Sequence, residues 1–252
     1  MVTERFGYMP IKREKLSREF ETGCPKRRLK APEQENMESS TLTEKTDPKS
    51  LRRIGLWKGL TQGDLSGGVT TMAECLKLSF AKNTVFNPHD IFESYFQKWT
   101  QHPYDAGPTV HRVFELVQGG INHIRAVEMV DNEAGGMTAG CNPAHRASVL
   151  AMMPFLPTNA LADFARTEAR LTHLHPDAGE ASAAVVLLCR HLINGMDWQE
   201  AIGQTAKEVK GKSKFSLLLP DSSPLNKGGY APEVLRAAVS IVQSSSDFGD
   251  RK

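Results

Sequence analysis

Residues Ala178–Ile193 read AGEASAAVVLLCRHLI. Wound at 3.6 residues per turn, this Ala-rich run is apolar nearly all the way round, and such a helix belongs in the middle of a bundle. Asp177, just ahead of it, is suited to cap it. The flanking segments supply one-sided partners. Thr71–Ala81 (TMAECLKLSFA) puts Met72, Cys75, Leu76 and Phe80 on one helical face. Asn87-Pro88, with Asp90 for early acidity, reads as the cap and first turn of a helix running through Trp99. Along it Ile91, Phe92, Tyr95, Phe96 and Trp99 recur at helical spacing. Val110, Val113, Phe114 and Val117 form another stripe, closed by Gly119-Gly120, and Ile121–Val130 repeats the pattern. Asn159 is placed to cap Ala160–Leu171, while Trp198–Val209 and Pro232–Val242 add two more amphipathic helices. No segment alternates in the manner of a strand, and no internal repeat is evident. The expectation is an all-α bundle.

The bulk numbers agree with a folded core. The chain has 252 residues, 40% hydrophobic and 24% charged, an ordinary balance for a soluble protein. A net charge of +2 is too mild for a nucleic-acid partner, which usually demands a concentrated basic face. No apolar run reaches the roughly 20 residues of a membrane span. The first residues mix Glu with Lys and Arg and contain no apolar secretory segment. Cys24, Cys75, Cys141 and Cys189 form no C-x-x-C pair, so they read as reduced thiols of a cytoplasmic protein rather than a disulfide framework or zinc site. Lys12–Arg53 is too polar to offset the cost of ordering itself. We expect a charged tail or insertion over 1–55, a helical domain over 56–243 and a short tail over 244–252. The cluster Lys26–Lys30 (KRRLK) reads as a solvated charge run, with an anionic-partner patch as the alternative.

Four loops carry the unusual chemistry. Gly63–Met72 (GDLSGGVTTM) runs straight into a helix, where backbone N–H groups can hold a phosphate or carboxylate; an ordinary Gly-rich loop accounts for it as well. It lacks the Gly-Lys-Ser/Thr ending of a nucleotide-binding P-loop. Gly135–Arg146 brings Asn142, His145 and Arg146 together after a Gly-rich stretch. Asn can bind ribose hydroxyls and Arg can pair with phosphate oxygens. Equally, Asn142 serves as a helix cap and Arg146 as half of a surface ion pair. Leu171–Pro176 (LTHLHP) holds His173 and His175 two apart, without the supporting ligands that a transition-metal site needs. Lys227-Gly228-Gly229-Tyr230 leaves the tyrosine face open to a base, or simply packs it. Trp57, Trp99 and Trp198 read as helix-packing residues.

In order and spacing these loops resemble the ADP-ribosylglycohydrolase family, which includes the dinitrogenase-reductase-activating glycohydrolases and the J-type crystallins. The resemblance runs approximately from Gly63 to Val242. It implies a compact orthogonal multi-helix bundle with two Mg²⁺ ions in a central cleft, removing ADP-ribose from protein side chains or small ADP-ribosyl compounds. Gly68-Val69-Thr70 stands at the family's Asp-Asp-Thr signature, so Thr70 is the implied metal ligand and both acidic positions are replaced. Asn142 and Arg146 fall at the ribose loop, with Pro143 where the family has Gly. Thr172-His173 matches the Thr-His turn facing substrate, and Gly229-Tyr230 the loop at the adenosine end. The family's opening Gly-Asp-Ala-Leu-Gly run and its closing Asp-x-Asp-Thr motif find no counterpart, so the resemblance implies a member incomplete at both ends.

Two functions follow from that resemblance. One is hydrolysis of the ribosyl bond of ADP-ribosylated protein or small ADP-ribosyl substrates. The other is a catalytically inactive relative, a pseudoenzyme that binds ADP-ribose or serves a structural role. A truncated product of a complete enzyme is a third account of the missing motifs. The substrate-contacting residues implied are Asn142, Arg146, His173, Gly229 and Tyr230, in a monomeric protein without nucleic-acid or membrane partners.

Overall fold

The computed structural model describes residues 47–83, 86–209 and 228–244, all within one unit spanning 45–252. The expectations for 1–46, including the Lys26–Lys30 cluster and Cys24, lie outside the described residues, as do Lys227 and the segment after Ser244.

Ten α-helices and one 3-10 turn make up the described fold: α1 (Pro48–Gly63), α2 (Gly68–Asn83), α3 (Pro88–Gln101), α4 (Pro108–Gln118), α5 (His123–Glu133), the short α6 (Asn142–Arg146), the 3-10 turn Ala147–Met152, α7 (Thr158–Ala169), α8 (Pro176–Asn194), α9 (Trp198–Val209) and α10 (Ala231–Ser244). Among the described residues there is no strand, and one isolated antiparallel bridge joins Gly140 to Tyr230. No described helix is long and apolar enough to cross a membrane.

Helix α8 is the Ala-rich run, and it sits at the centre as its composition requires. It packs against α1, α6, α7, α9, α10 and the 3-10 turn. Its buried residues lie all round the helix, Ala178, Ala181, Ala184, Leu187 and Leu188 among them. Gly195 ends it in the left-handed region at φ 103°, which a glycine adopts without strain. The stripes of α2, α3 and α4 are buried where their spacing placed them: Met72, Leu76, Ile91, Phe92, Tyr95, Val110, Val113 and Phe114 all belong to one hydrophobic core. Trp57, Trp99 and Trp198 pack against that core while partly exposed. Arg190 on α8 donates to the carbonyls of Leu150, Ala151, Met153 and Leu156, and so ties the 3-10 turn and its exit to the central helix.

Several helix starts differ from the sequence expectation. Helix α1 begins at Pro48, inside the 1–55 stretch expected as a charged tail or insertion, with the Asp47 side chain accepting the Ser50 N–H at 3.1 Å. Helix α7 begins at Thr158 behind Pro157, one turn position before Asn159, because the proline already fixes the extended entry. Helix α8 is capped by His175, whose Nδ1 accepts the Asp177 N–H at 3.2 Å. That leaves the Asp177 carboxylate available elsewhere.

Candidate functional site

The start of α2 is set by Asp64. Its Oδ2 accepts the Thr70 N–H at 2.6 Å and its Oδ1 accepts the Ser66 hydroxyl at 3.2 Å. An internal carboxylate therefore already takes this first-turn donor, the role that an external anion would play at a helix N-terminus. Gly68, the first residue of α2, abuts the loop between α3 and α4. A Cβ built on it would lie 1.6 Å from the Asp105 carbonyl oxygen, so no side chain fits there.

That loop leads to Asn142. The Asn142 amide donates to the Ala106 carbonyl at 3.1 Å and its oxygen accepts from Arg146 at 2.7 Å. Cys141, not Asn142, takes the cap position of α6. Nor is Arg146 a surface residue. It is fully buried, forms an ion pair with fully buried Glu168 at 2.6 Å and donates to Thr172 Oγ1 at 2.9 Å. Tyr95 donates its hydroxyl to the same Glu168 oxygen at 2.9 Å. Burial is the largest single effect and opposes the Arg146 charge, but the Glu168 carboxylate and the Tyr95 and Tyr104 hydroxyls together outweigh it, so the guanidinium stays protonated.

Thr172 in turn lies 2.8 Å from His173 Nδ1. His173 is buried, and burial, with the Arg146 charge nearby, pushes its imidazole down to about 3. Its Nε2 makes no hydrogen bond among the described residues. A Cβ on Gly140 would lie 3.0 Å from that nitrogen.

Gly140 also carries the last link. The Cys141 N–H donates to Gly229 O at 3.0 Å and the Ala231 N–H to Ala139 O at 2.8 Å, which lays Gly229-Tyr230 along the Gly140 loop. Tyr230 remains 39% exposed, and its hydroxyl donates to Asp177 Oδ2 at 2.5 Å. This hydrogen bond, more than burial, raises the phenol to about 12. Hydrogen bonds thus link Asn142, Arg146, Thr172 and His173, while Gly229-Tyr230 joins them through the Gly140 loop, and the Thr70 helix start meets them through Gly68 against the Asp105-Ala106 loop.

Sequence reasoning missed four contributors: Asp105, Glu168, Asp177 and Thr138. Thr138 accepts the Leu174 and His175 N–H groups at 3.1 and 3.2 Å and donates to Asp131, holding the His173 turn against the Gly140 loop. Each acts through a partner far along the chain, and only the Asp177–Tyr230 pairing had a local cue, in the exchange of cap residues at α8.

An all-helical fold wrapped round one Ala-rich helix, with this track of loops on it, has a known counterpart. A solved structure of an ADP-ribosylglycohydrolase-related protein complex superposes with a TM-score of 0.60 at 23% identity, covering 81% of this chain and 79% of that one. At that identity the likeness concerns the fold. The family model for ADP-ribosylglycohydrolase matches residues 25–250, and the chain belongs to that family. No curated protein matches it. The family acts on ADP-ribosylated substrates and is generally metal-dependent.

The residues at the start of α2 do not fit magnesium. Mg²⁺ takes about six hard oxygen ligands in near-octahedral geometry, carboxylates prominent among them. Val69 has no donor, Gly68 has no room for one, and both Asp64 oxygens are engaged. Thr70 Oγ1 is buried without a hydrogen-bond partner among the described residues, and one hydroxyl does not hold a divalent ion. Among the described residues no three His, Cys, Asp or Glu side chains converge on a metal position.

Proposed function

We propose that this chain is a metal-independent, non-hydrolysing member of its family that binds the ADP-ribosyl group, free or on a modified protein. The observation that carries the reading is the Gly140 loop, which pairs with Tyr230 and also lies against His173: a Cβ on Gly140 would stand 3.0 Å from Nε2, and Tyr230 is 39% exposed. Tyr230 offers a surface for adenine and His173 a polar atom for a ribose or phosphate oxygen. Gly229 gives the backbone close approach. Asn142 and Arg146 serve the ligand through the loop and turn they hold. The donor set at Gly68-Val69-Thr70 supports the absence of hydrolysis, since family chemistry builds oxocarbenium character beside bound metal. We take the protein as monomeric and cytoplasmic.

Family membership favours a second reading, hydrolysis of the ribosyl bond with Mg²⁺ at Thr70. Calorimetric titration with ADP-ribose tests the first. Saturable uptake that weakens on His173→Ala and on Tyr230→Ala is expected, and a flat titration of the folded protein rejects it.

A further inference from the structure

The hydrogen bonds around His173 determine which ring nitrogen carries its proton. An arginine only donates, so Thr172 Oγ1, 2.9 Å from the Arg146 guanidinium, accepts from it. Thr172 is fully buried and has one hydroxyl proton to place. His173 Nδ1, at 2.8 Å, is the acceptor that the structure puts within its reach. With a proton on Nδ1 instead, Thr172 would accept twice and its own O–H would find no acceptor among the described residues, a costly state for a buried hydroxyl.

We propose that Arg146 and Thr172 are positioning residues that set His173 with its proton on Nε2 and a lone pair on Nδ1, presenting the site with one N–H donor for an oxygen of a sugar hydroxyl or phosphate. Arg146 is held rigidly for this task by Glu168 at 2.6 Å and Asn142 at 2.7 Å. Burial keeps a second proton off the ring at neutral pH. The absence of a side chain at Gly140 leaves the Nε2 edge open, since a Cβ there would crowd it at 3.0 Å. The ligand class rests on the ADP-ribosyl reading; the tautomer does not.

Imidazole ¹⁵N spectra of the ligand-free protein test the tautomer, with the His173 signals assigned by their loss in His173→Gln. A pyridine-type Nδ1 and a pyrrole-type Nε2 are expected across about pH 5 to 8, where an unperturbed histidine would titrate. Thr172→Val is expected to disturb this pattern and to weaken ADP-ribose binding about fivefold or more, and Thr172→Ser to restore both, as for loss of one buried hydrogen bond. A pyrrole-type Nδ1 in the wild-type protein, or a pattern indifferent to Thr172→Val, overturns the relay. The wild-type spectrum decides this even if the valine variant does not fold. An Nε2–H tautomer in a protein that takes up no ADP-ribose overturns the ligand assignment alone.

Discussion

The Cα of Gly68 lies against the backbone carbonyl of Asp105, so close that a Cβ on Gly68 would stand 1.6 Å from its oxygen and 2.6 Å from its carbon. The loop bearing that carbonyl is held on other sides as well. Ala106 donates its N–H to His111 Nε2 at 3.1 Å and accepts from Asn142, and Gly107 N–H reaches Asp105 Oδ1 at 3.0 Å. Where the family resemblance puts an acidic metal ligand, this chain has a backbone packing joint.

Gly68→Asp is therefore expected to destabilise the fold by about 3 kcal/mol or more, at the upper end of overpacking effects, because backbone and not a flexible side chain must move. Urea unfolding with and without Mg²⁺ measures it. A Gly68→Asp protein as stable as the parent, and further stabilised by Mg²⁺, would show the position to be open.

Thr70 and Asp64 should separate cleanly. The Thr70 hydroxyl is buried with no partner among the described residues, so Thr70→Val should change stability by no more than about 0.5 kcal/mol. Asp64→Ala removes the carboxylate that holds the first turn of α2 and should cost about 1 kcal/mol, as for loss of a helix cap. Urea midpoints compare the two, and a loss above about 1 kcal/mol for Thr70→Val would reveal a partner for that hydroxyl.

The buried Arg146–Glu168 pair predicts strong coupling. Removing either partner strands the other charge, at a cost of about 3–5 kcal/mol. The double variant Arg146→Met with Glu168→Leu should lose clearly less than the sum of the single losses. Additive losses in a denaturant double-mutant cycle would mean that the two side chains act independently.

His173 also leaves a signature in the pH dependence of stability. Its imidazole is held down to about 3 in the folded state against 6.5 ordinarily. Above about pH 6.5 both folded and unfolded forms are neutral there, and its contribution is fully present. As pH falls from 6.5 towards 3 the unfolded chain takes up a proton that the folded chain refuses, and stability drops by up to a few kcal/mol. His173→Gln should flatten this part of the profile. An unchanged profile would place a charged or solvated histidine at this turn.

The bundle was legible in the sequence because its cues are local. The stripes of 71–81, 91–99 and 110–117 and the all-round apolarity of 178–193 each lie within one element, and their apolar residues are buried in the core or packed against it. Helix starts were less legible where two residues compete for one cap. At α8 the His175 imidazole takes the cap, and the displaced Asp177 binds Tyr230. The order of the loops pointed to His173, Gly229 and Tyr230; in the structure the Gly140 loop lies against His173 and pairs with Gly229-Tyr230. Glu168 was invisible, because a glutamate in an amphipathic helix reads as surface charge until a buried partner is known. The misfit at Gly68 was legible only as a missing carboxylate. That the space itself is filled depends on Asp105, which no local pattern connects to it.

The most direct test of the central claim, an ADP-ribosyl site that works without a divalent ion, is the affinity for ADP-ribose measured in EDTA and again in excess Mg²⁺. The same saturable binding under both conditions is predicted. Binding that appears only when Mg²⁺ is added would contradict it.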